Sequence, residues 1–370
     1  MTEVALDRTI LVSLIEEYGV GRLQDLSEAP SGWADPTLGQ TAVTVELSRG
    51  RVIARFDSKR AELEVKREVD LALFLNKHGF PTALPLEDRR GRHHREVAGR
   101  QAVLFRPIDG LVQPLSALLL PHMEACGRAI ADLQALARTY KKGVEGRHGF
   151  EFVAERWLKL RDRLPPFFRK VARTLNDEIE YLGGSLEGKL PKGVILRDLE
   201  PERLLVKRDK LVSLLHLGGV CRGKYIFDLA AAINTLCFVA GAFDLKRFEN
   251  LLAGYEAVRP LSLAEWDTFP SELRLAATRT TVRRLDEAVT GPLARSTVAA
   301  IMRETVTPGA AGGELPFGAR AFLDGYDRLL TLRREREGGM DELLLAMATG
   351  YDYRKYQKIR APQRRRSKIS

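Results

Sequence analysis

The sequence predicts an α+β architecture, a small β-rich lobe followed by a larger helical lobe. Three observations lead there. Strand-like alternation of β-branched and polar residues is concentrated in the first third of the chain. From residue 115 onward most segments carry apolar residues three and four apart, the helical spacing. The chain has 370 residues, 45% apolar and 29% charged, which suits a folded protein of two lobes.

The elements follow in order. "TAVTVELS" (41–48) and "GRVIARFD" (50–57) read as a hairpin through Ser48-Arg49-Gly50. "KRAELEVKREVDLALFLNKHG" (59–79) has helical spacing at Leu63, Leu71, Phe74 and Leu75, and Gly79 stops it. "PLEDRRGRHHREVAGRQAVLFRPI" (85–108) reads as a second hairpin with its polar tip at Arg89–His94. "LSALLLPHMEACGRAIADLQALARTY" (115–140) opens the helical part. "FEFVAERWLKLRDRL" and "PPFFRKVARTLNDEIEYLGG" follow, the second with prolines at its start and glycines at its end. "KGVILRDL" and "RLLVKRDKLVSLLHLGG" interrupt the helices as short strands around a loop, and "YIFDLAAAINTLCFVAGAF" (225–243) begins an apolar helix. Asp228 reads as the N-cap of a helix over 229–239. The expected division is 1–107 for the β-rich lobe, 108–336 for the helical lobe, and 337–370 for a short helix and a basic tail.

Composition narrows the function classes. No apolar run approaches the roughly 20 residues of a membrane span. The N-terminus lacks a basic region leading into an apolar one, so no secretory signal is expected. Cys126, Cys221 and Cys237 are too far apart for a CxxC metal pattern or a disulfide framework. These features favour the cytoplasm. Net charge is +10, but residues 351–370 hold eight basic residues and one Asp, which is +7 of it. The body is nearly balanced, and the tail is a basic arm that could meet an anionic surface. Tyr351, Tyr353 and Tyr356 interleave with Arg354, Lys355 and Lys358, a pattern that suits stacking on RNA bases; a solvated tail is the plainer reading.

"ILRDLEPERLLV" (195–206) carries the chemistry. Phosphoryl transfer needs a carboxylate to orient the attacking hydroxyl and cations to offset phosphate charge. The kinase catalytic loop H-R-D-x-x-x-x-N supplies the carboxylate and one Mg²⁺ ligand, and a later D-F-G supplies the other. Here Asp198 stands at the base position, Leu196 replaces the His, and Arg203 replaces the Asn. Eighteen residues beyond Asp198, His216-Leu217-Gly218 stands where D-F-G would lie. Arg55 in "RVIARF" lies where a basic strand residue would reach the phosphates, and Glu68 in the next helix is its partner carboxylate. "EEYGVGRLQDL", "KHGFPTALPL", "CGRAIADLQAL" with Gln134, "KGVILRDLEPERLLV" and "FDLAAAINTLCF" fall in the order of one family's landmarks. Over roughly residues 10–335 the chain resembles the aminoglycoside phosphotransferase superfamily, and within it type II homoserine kinases.

The resemblance implies a bilobal protein-kinase-like fold with ATP between the lobes and a hydroxyl acceptor on the larger lobe. It implies Asp198 as the base position and Arg55, Glu68, Arg203 and His216 as the cofactor-binding positions; this sequence departs from the family in offering no metal-ligand set there. Both Mg²⁺-holding positions have lost their oxygen, and Mg²⁺ requires oxygen donors. The segment "SEAPSGWADPTLGQTAV" (27–43), where the phosphate-covering loop would be, has Gly32 and Gly39 but no clean G-x-G-x-x-G. Trp33, Trp157 and Trp266 are scattered and support no site. The leading expectation is a pseudokinase that binds a nucleotide, a phosphate ligand or a protein partner. One alternative is an active ATP-dependent small-molecule kinase with unusual metal ligation. The other is an RNA- or ribosome-associated protein acting through the tail. Asp198 is further expected to pair with Arg203.

Overall fold

A computed structural model describes residues 8–35, 39–142, 148–186, 189–239, 242–291, 294–306 and 315–337. The basic tail and the short helix expected before it lie outside these residues.

The first compact unit comprises the described residues within Met1–Gly146, Lys192–Asp228 and Ala253–Pro260. Its main sheet is built from β1 (Leu23–Glu28), β2 (Gln40–Leu47), β3 (Gly50–Asp57), β4 (Arg95–Val97) and β5 (Arg100–Phe105), in the order β1-β2-β3-β5-β4 and antiparallel throughout. The hairpin through Gly50 is as its sequence reads. The second hairpin turns elsewhere than expected. Val97 pairs with Arg100, and the turn is Ala98-Gly99, both with positive φ (50° and 71°). Such a two-residue turn matches the twist of the flanking strands. The arginine-rich stretch taken for the tip is a loop folded around Asp88, whose carboxylate accepts from the backbone N–H groups of Arg90 and Arg92.

Strand side chains alternate between faces, and this alternation positions the site. Val52, Ala54 and Phe56 of β3 pack with Leu11, Leu14 and Ile15 of α1 (Arg8–Tyr18). Ile53 lies on the opposite face with Val103 and Phe105 of β5 and with Val65 and Val69 of α2 (Glu62–Lys77). Arg55 shares that face. Within α2 the buried positions Val65, Glu68, Val69, Ala72 and Leu75 recur at helical spacing, which turns Glu68 inward.

The same unit holds α3 (Leu120–Leu136), a sheet of β6 (Leu111–Val112), β8 (Leu204–Lys207) and β9 (Lys210–Leu214), and a pair formed by β7 (Lys192–Ile195) and β10 (Cys221–Lys224). The loop from Leu196 to Arg203 therefore hangs between β7 and β8. The 216–220 segment hangs between β9 and β10.

The second unit comprises the described residues within Arg147–Pro191, Leu229–Leu252 and Leu261–Ser370. It contains α4 (Phe150–Arg161), α5 (Arg169–Ser185), the short pair β11 (Phe238–Val239) and β12 (Ala242–Phe243), α8 (Leu263–Thr290), α9 (Ala294–Val306) and α10 (Phe317–Glu337). α6 (Tyr225–Leu236) and α7 (Leu245–Glu256) contribute residues to both units. Ser262 and Glu265 form a capping box at the start of α8. Inside the unit, Arg274 and Glu178 form a fully buried pair at 2.9 Å, and Tyr181 lies under the guanidinium at 3.7 Å. Among the described residues no helix is long and apolar enough to cross a membrane. All three cysteines are free and buried.

Candidate functional site

Five residues singled out from the sequence, Arg55, Glu68, Asp198, Arg203 and His216, fall in the first unit on three neighbouring segments. On the strand–helix side, Arg55 donates to both oxygens of Glu68 at 3.0 Å each and through Nε to Asp57 at 3.2 Å. Arg60 also binds Glu68 and reaches Asp57 at 3.4 Å. Gln40 donates to Asp57 at 2.7 Å. Two guanidiniums thus face two carboxylates, so the buried cluster is neutral within itself. Burial alone would raise the Glu68 carboxyl, but Arg55 and Arg60 together hold it far below the usual carboxylate range. Burial likewise opposes the charge on Arg55, and Glu68 and Asp57 more than offset it.

The loop side is built differently. Arg197 and His216 both adopt positive φ (69° and 58°), which costs a non-glycine residue about 1–2 kcal/mol each. The Arg197 turn is held by Asp228. Its carboxylate accepts from the backbone N–H groups of Leu196 (2.9 Å) and Arg197 (2.8 Å) and from the side-chain amide of Gln134 (3.4 Å). Asp228 is therefore not the N-cap that the sequence suggested. α6 begins three residues earlier at Tyr225, and the carboxylate ties down the catalytic-loop turn instead. Burial pushes the Asp228 carboxyl up to about 7, against the downward pull of those hydrogen bonds.

Asp198 pairs with its neighbour Arg197, Nε to carboxylate at 3.0 Å. The expected partner, Arg203, does something else. It is 8% exposed, and its Nη1 donates to two main-chain carbonyls, those of Asp198 (3.1 Å) and His216 (3.3 Å). Its guanidinium thus bridges the two segments that supply metal ligands in a kinase. Two glycines show how full this space is. A Cβ on Gly218 would lie 2.9 Å from the Arg60 guanidinium, and one on Gly219 would lie 3.2 Å from Arg197 and 3.4 Å from Arg203.

His216 sends Nε2–H to the carbonyl of Gly32. A carbonyl only accepts, so the proton sits on Nε2, and Nδ1, sealed from solvent, has no partner. Burial, reinforced by the charges of Arg55 and Arg203, pushes the imidazole down to about 4, so it is neutral at neutral pH. A small pocket lies beside these groups, lined by Arg55, Glu68, Phe105 and His216 and walled by Gly32 and Trp33.

The model of the phosphotransferase enzyme family matches residues 35–261. The chain belongs to this family. The chain is 28% identical over 276 residues to the homoserine kinase of Methylobacillus flagellatus, covering 74% of this chain and 83% of the relative. It is 30% identical over 244 residues to a Caulobacter homoserine kinase, covering 65% and 76%. Among solved structures it is similar to an aminoglycoside phosphotransferase from Alicyclobacillus acidocaldarius, with a TM-score of 0.61 at 14% identity over 91% of this chain and 98% of that one. It is also similar to an amicoumacin kinase in complex with AMP-PNP and Ca²⁺, with a TM-score of 0.59 at 14% identity over 89% and 92%. These likenesses establish the protein-kinase-like α+β fold.

The residues at the two metal-holding positions do not fit Mg²⁺. A guanidinium repels a cation, and a neutral imidazole lacks the hard oxygen that Mg²⁺ takes. Among the described residues no group of three or more His, Cys, Asp or Glu could hold a metal. Sequence reasoning missed Asp57 and Arg60, which complete the Arg55 cluster, and Trp33, which it left without a role. The alternation of β3 could have flagged Asp57, since it shares a face with Arg55.

Proposed function

We propose that this phosphotransferase-family protein is a pseudokinase, a fold retained as a binding module without metal-dependent phosphoryl transfer. One observation carries the reading: the Arg203 guanidinium bridges the carbonyls of Asp198 and His216, where a metal would join the two loops. Asp198 keeps its place, but its carboxylate is engaged by Arg197, and a base that orients a hydroxyl has no metal-held phosphate to attack. The Arg55 cluster is internally neutral, and the Arg203 guanidinium lies between the two loops beyond it. That charge suits a small phosphate-bearing anion taken up without metal.

Incubation with ATP, Mg²⁺ or Mn²⁺, and homoserine as the acceptor tests the reading. No ADP formation that depends on Asp198 is expected. Turnover that Asp198→Asn abolishes would overturn it. A rise in melting temperature with pyrophosphate in EDTA supports the anion site, and no shift at saturating pyrophosphate removes it. A second reading, an active ATP-dependent small-molecule kinase, is supported by the retained Asp198 and the bidentate Arg55–Glu68 pair. The same assay separates the two.

A further inference from the structure

Trp33, like the other two tryptophans, has no role that the sequence shows, yet it is only 4% exposed. It packs in one cluster with Ile53 of β3, Phe105 at the end of β5, Leu205 of β8 and Leu215 just before His216. Its ring meets Phe105 at 5.8 Å between centroids and 54° between planes. Arg55 marks the polar end of this cleft, and the apolar slot beside it is where a flat base would be held next to its phosphates. The slot is filled by the chain's own indole.

The neighbouring residue fixes the ring there. Gly32 has φ +88°, and a Cβ at that position would lie 2.5 Å from Val112 Cγ2 and 2.7 Å from the Glu202 carbonyl. Only glycine lets the backbone approach so closely. The Gly32 carbonyl then takes the Nε2–H of His216. A loop expected to cover phosphates is instead seated in the cleft, bonded to the residue that replaces the metal ligand.

We propose that Gly32-Trp33 is a tethered occupant of the base pocket, so that the closed form excludes nucleotides and a nucleotide must displace the indole to bind. The proposal rests on reading this cleft as the family's nucleotide site, the same cleft as above.

Calorimetry with ADP in EDTA on the full chain tests it, comparing wild type with Trp33→Ala and Gly32→Ala. The first variant removes the ring, and the second keeps the ring but denies the backbone its seat. Both are expected to bind ADP about tenfold or more tightly than wild type, because apparent affinity scales with the open fraction. Trp33→Phe, which keeps an aromatic occupant, is expected to fall between. Equal affinity in wild type and the folded variants overturns the proposal. If Trp33→Ala does not fold, Gly32→Ala decides alone. A reading without variants comes from hydrogen exchange in wild type at saturating ADP. Faster exchange over 29–35 supports displacement, and unchanged or slower exchange overturns it. Phosphoryl transfer does not enter either readout. ATP turnover by wild type would sink the pseudokinase reading, whereas equal ADP affinities would sink the plug.

Discussion

Two halves of one cleft are built on opposite principles. Around Arg55 and Glu68, two guanidiniums and two carboxylates satisfy one another below the surface. Around Asp198, Arg203 and His216, two strained turns are held from outside, by Asp228 and by the Gly32 carbonyl. The first half is complete within the protein. The second half, in a working kinase, is completed by a metal. The contrast indicates which part of a phosphotransferase site the fold itself needs. A closed ion cluster cannot lose one member without leaving a buried charge unpaired. A loop junction can also be held by a side chain, and here Arg203 joins the two loops by donating to two carbonyls.

The comparison breaks first at Glu68. Glu68→Ala leaves Arg55 buried against Asp57 alone and is expected to cost about 3–5 kcal/mol in chemical denaturation. A loss below about 1 kcal/mol would mean that the cluster is not a structural unit. Asp228→Ala comes next. It strands two backbone N–H donors on a strained turn, for an expected loss of about 2–4 kcal/mol. Asp228→Asn, which keeps one acceptor oxygen, is expected to lose less.

These residues also show what the sequence made legible. The hairpin through Gly50 follows from alternation alone, and the Arg55–Glu68 pair was legible through the family pattern. Asp228 was placed near a helix start, but its partners, Leu196 and Arg197, lie more than thirty residues away in the chain and no local rule reaches them. The turn at Ala98-Gly99 was passed over because an alanine with positive φ carries no signal beside six nearby arginines and histidines. β1 is an edge strand with mostly exposed residues, so "LQDLSE" shows little alternation. A lone Trp33 has no period, and its place depends on five segments meeting in three dimensions. The family landmarks were readable because each is a local motif and their order adds information.

A smaller effect sharpens the loop side through pH. His216 has a folded pKa of about 4 against an ordinary value of 6.5. Between those values the unfolded chain binds more protons, so stability is present above 6.5 and is lost as pH falls toward 4. Urea unfolding at pH 6.5 and 5.5 is expected to show wild type losing about 1 kcal/mol more than His216→Gln over that unit. An equal loss in both would mean that the imidazole is not held neutral. The smallest expected effect is at Asp198, whose pair with Arg197 is partly solvated. Asp198→Asn is expected to change stability by less than about 1 kcal/mol. A larger loss would make Asp198 part of the scaffold.

The account turns on whether the two kinase metal positions still hold a metal. Mn²⁺ binding read by electron paramagnetic resonance tests this directly, on wild type and on Arg203→Asn/His216→Asp, which restores the two oxygen ligands. The wild-type chain is expected to leave the free Mn²⁺ signal at the level of a protein-free control, both without ADP and at matched ADP, while the double variant depletes it below that level. Depletion of the signal by wild type below the protein-free control would contradict the account.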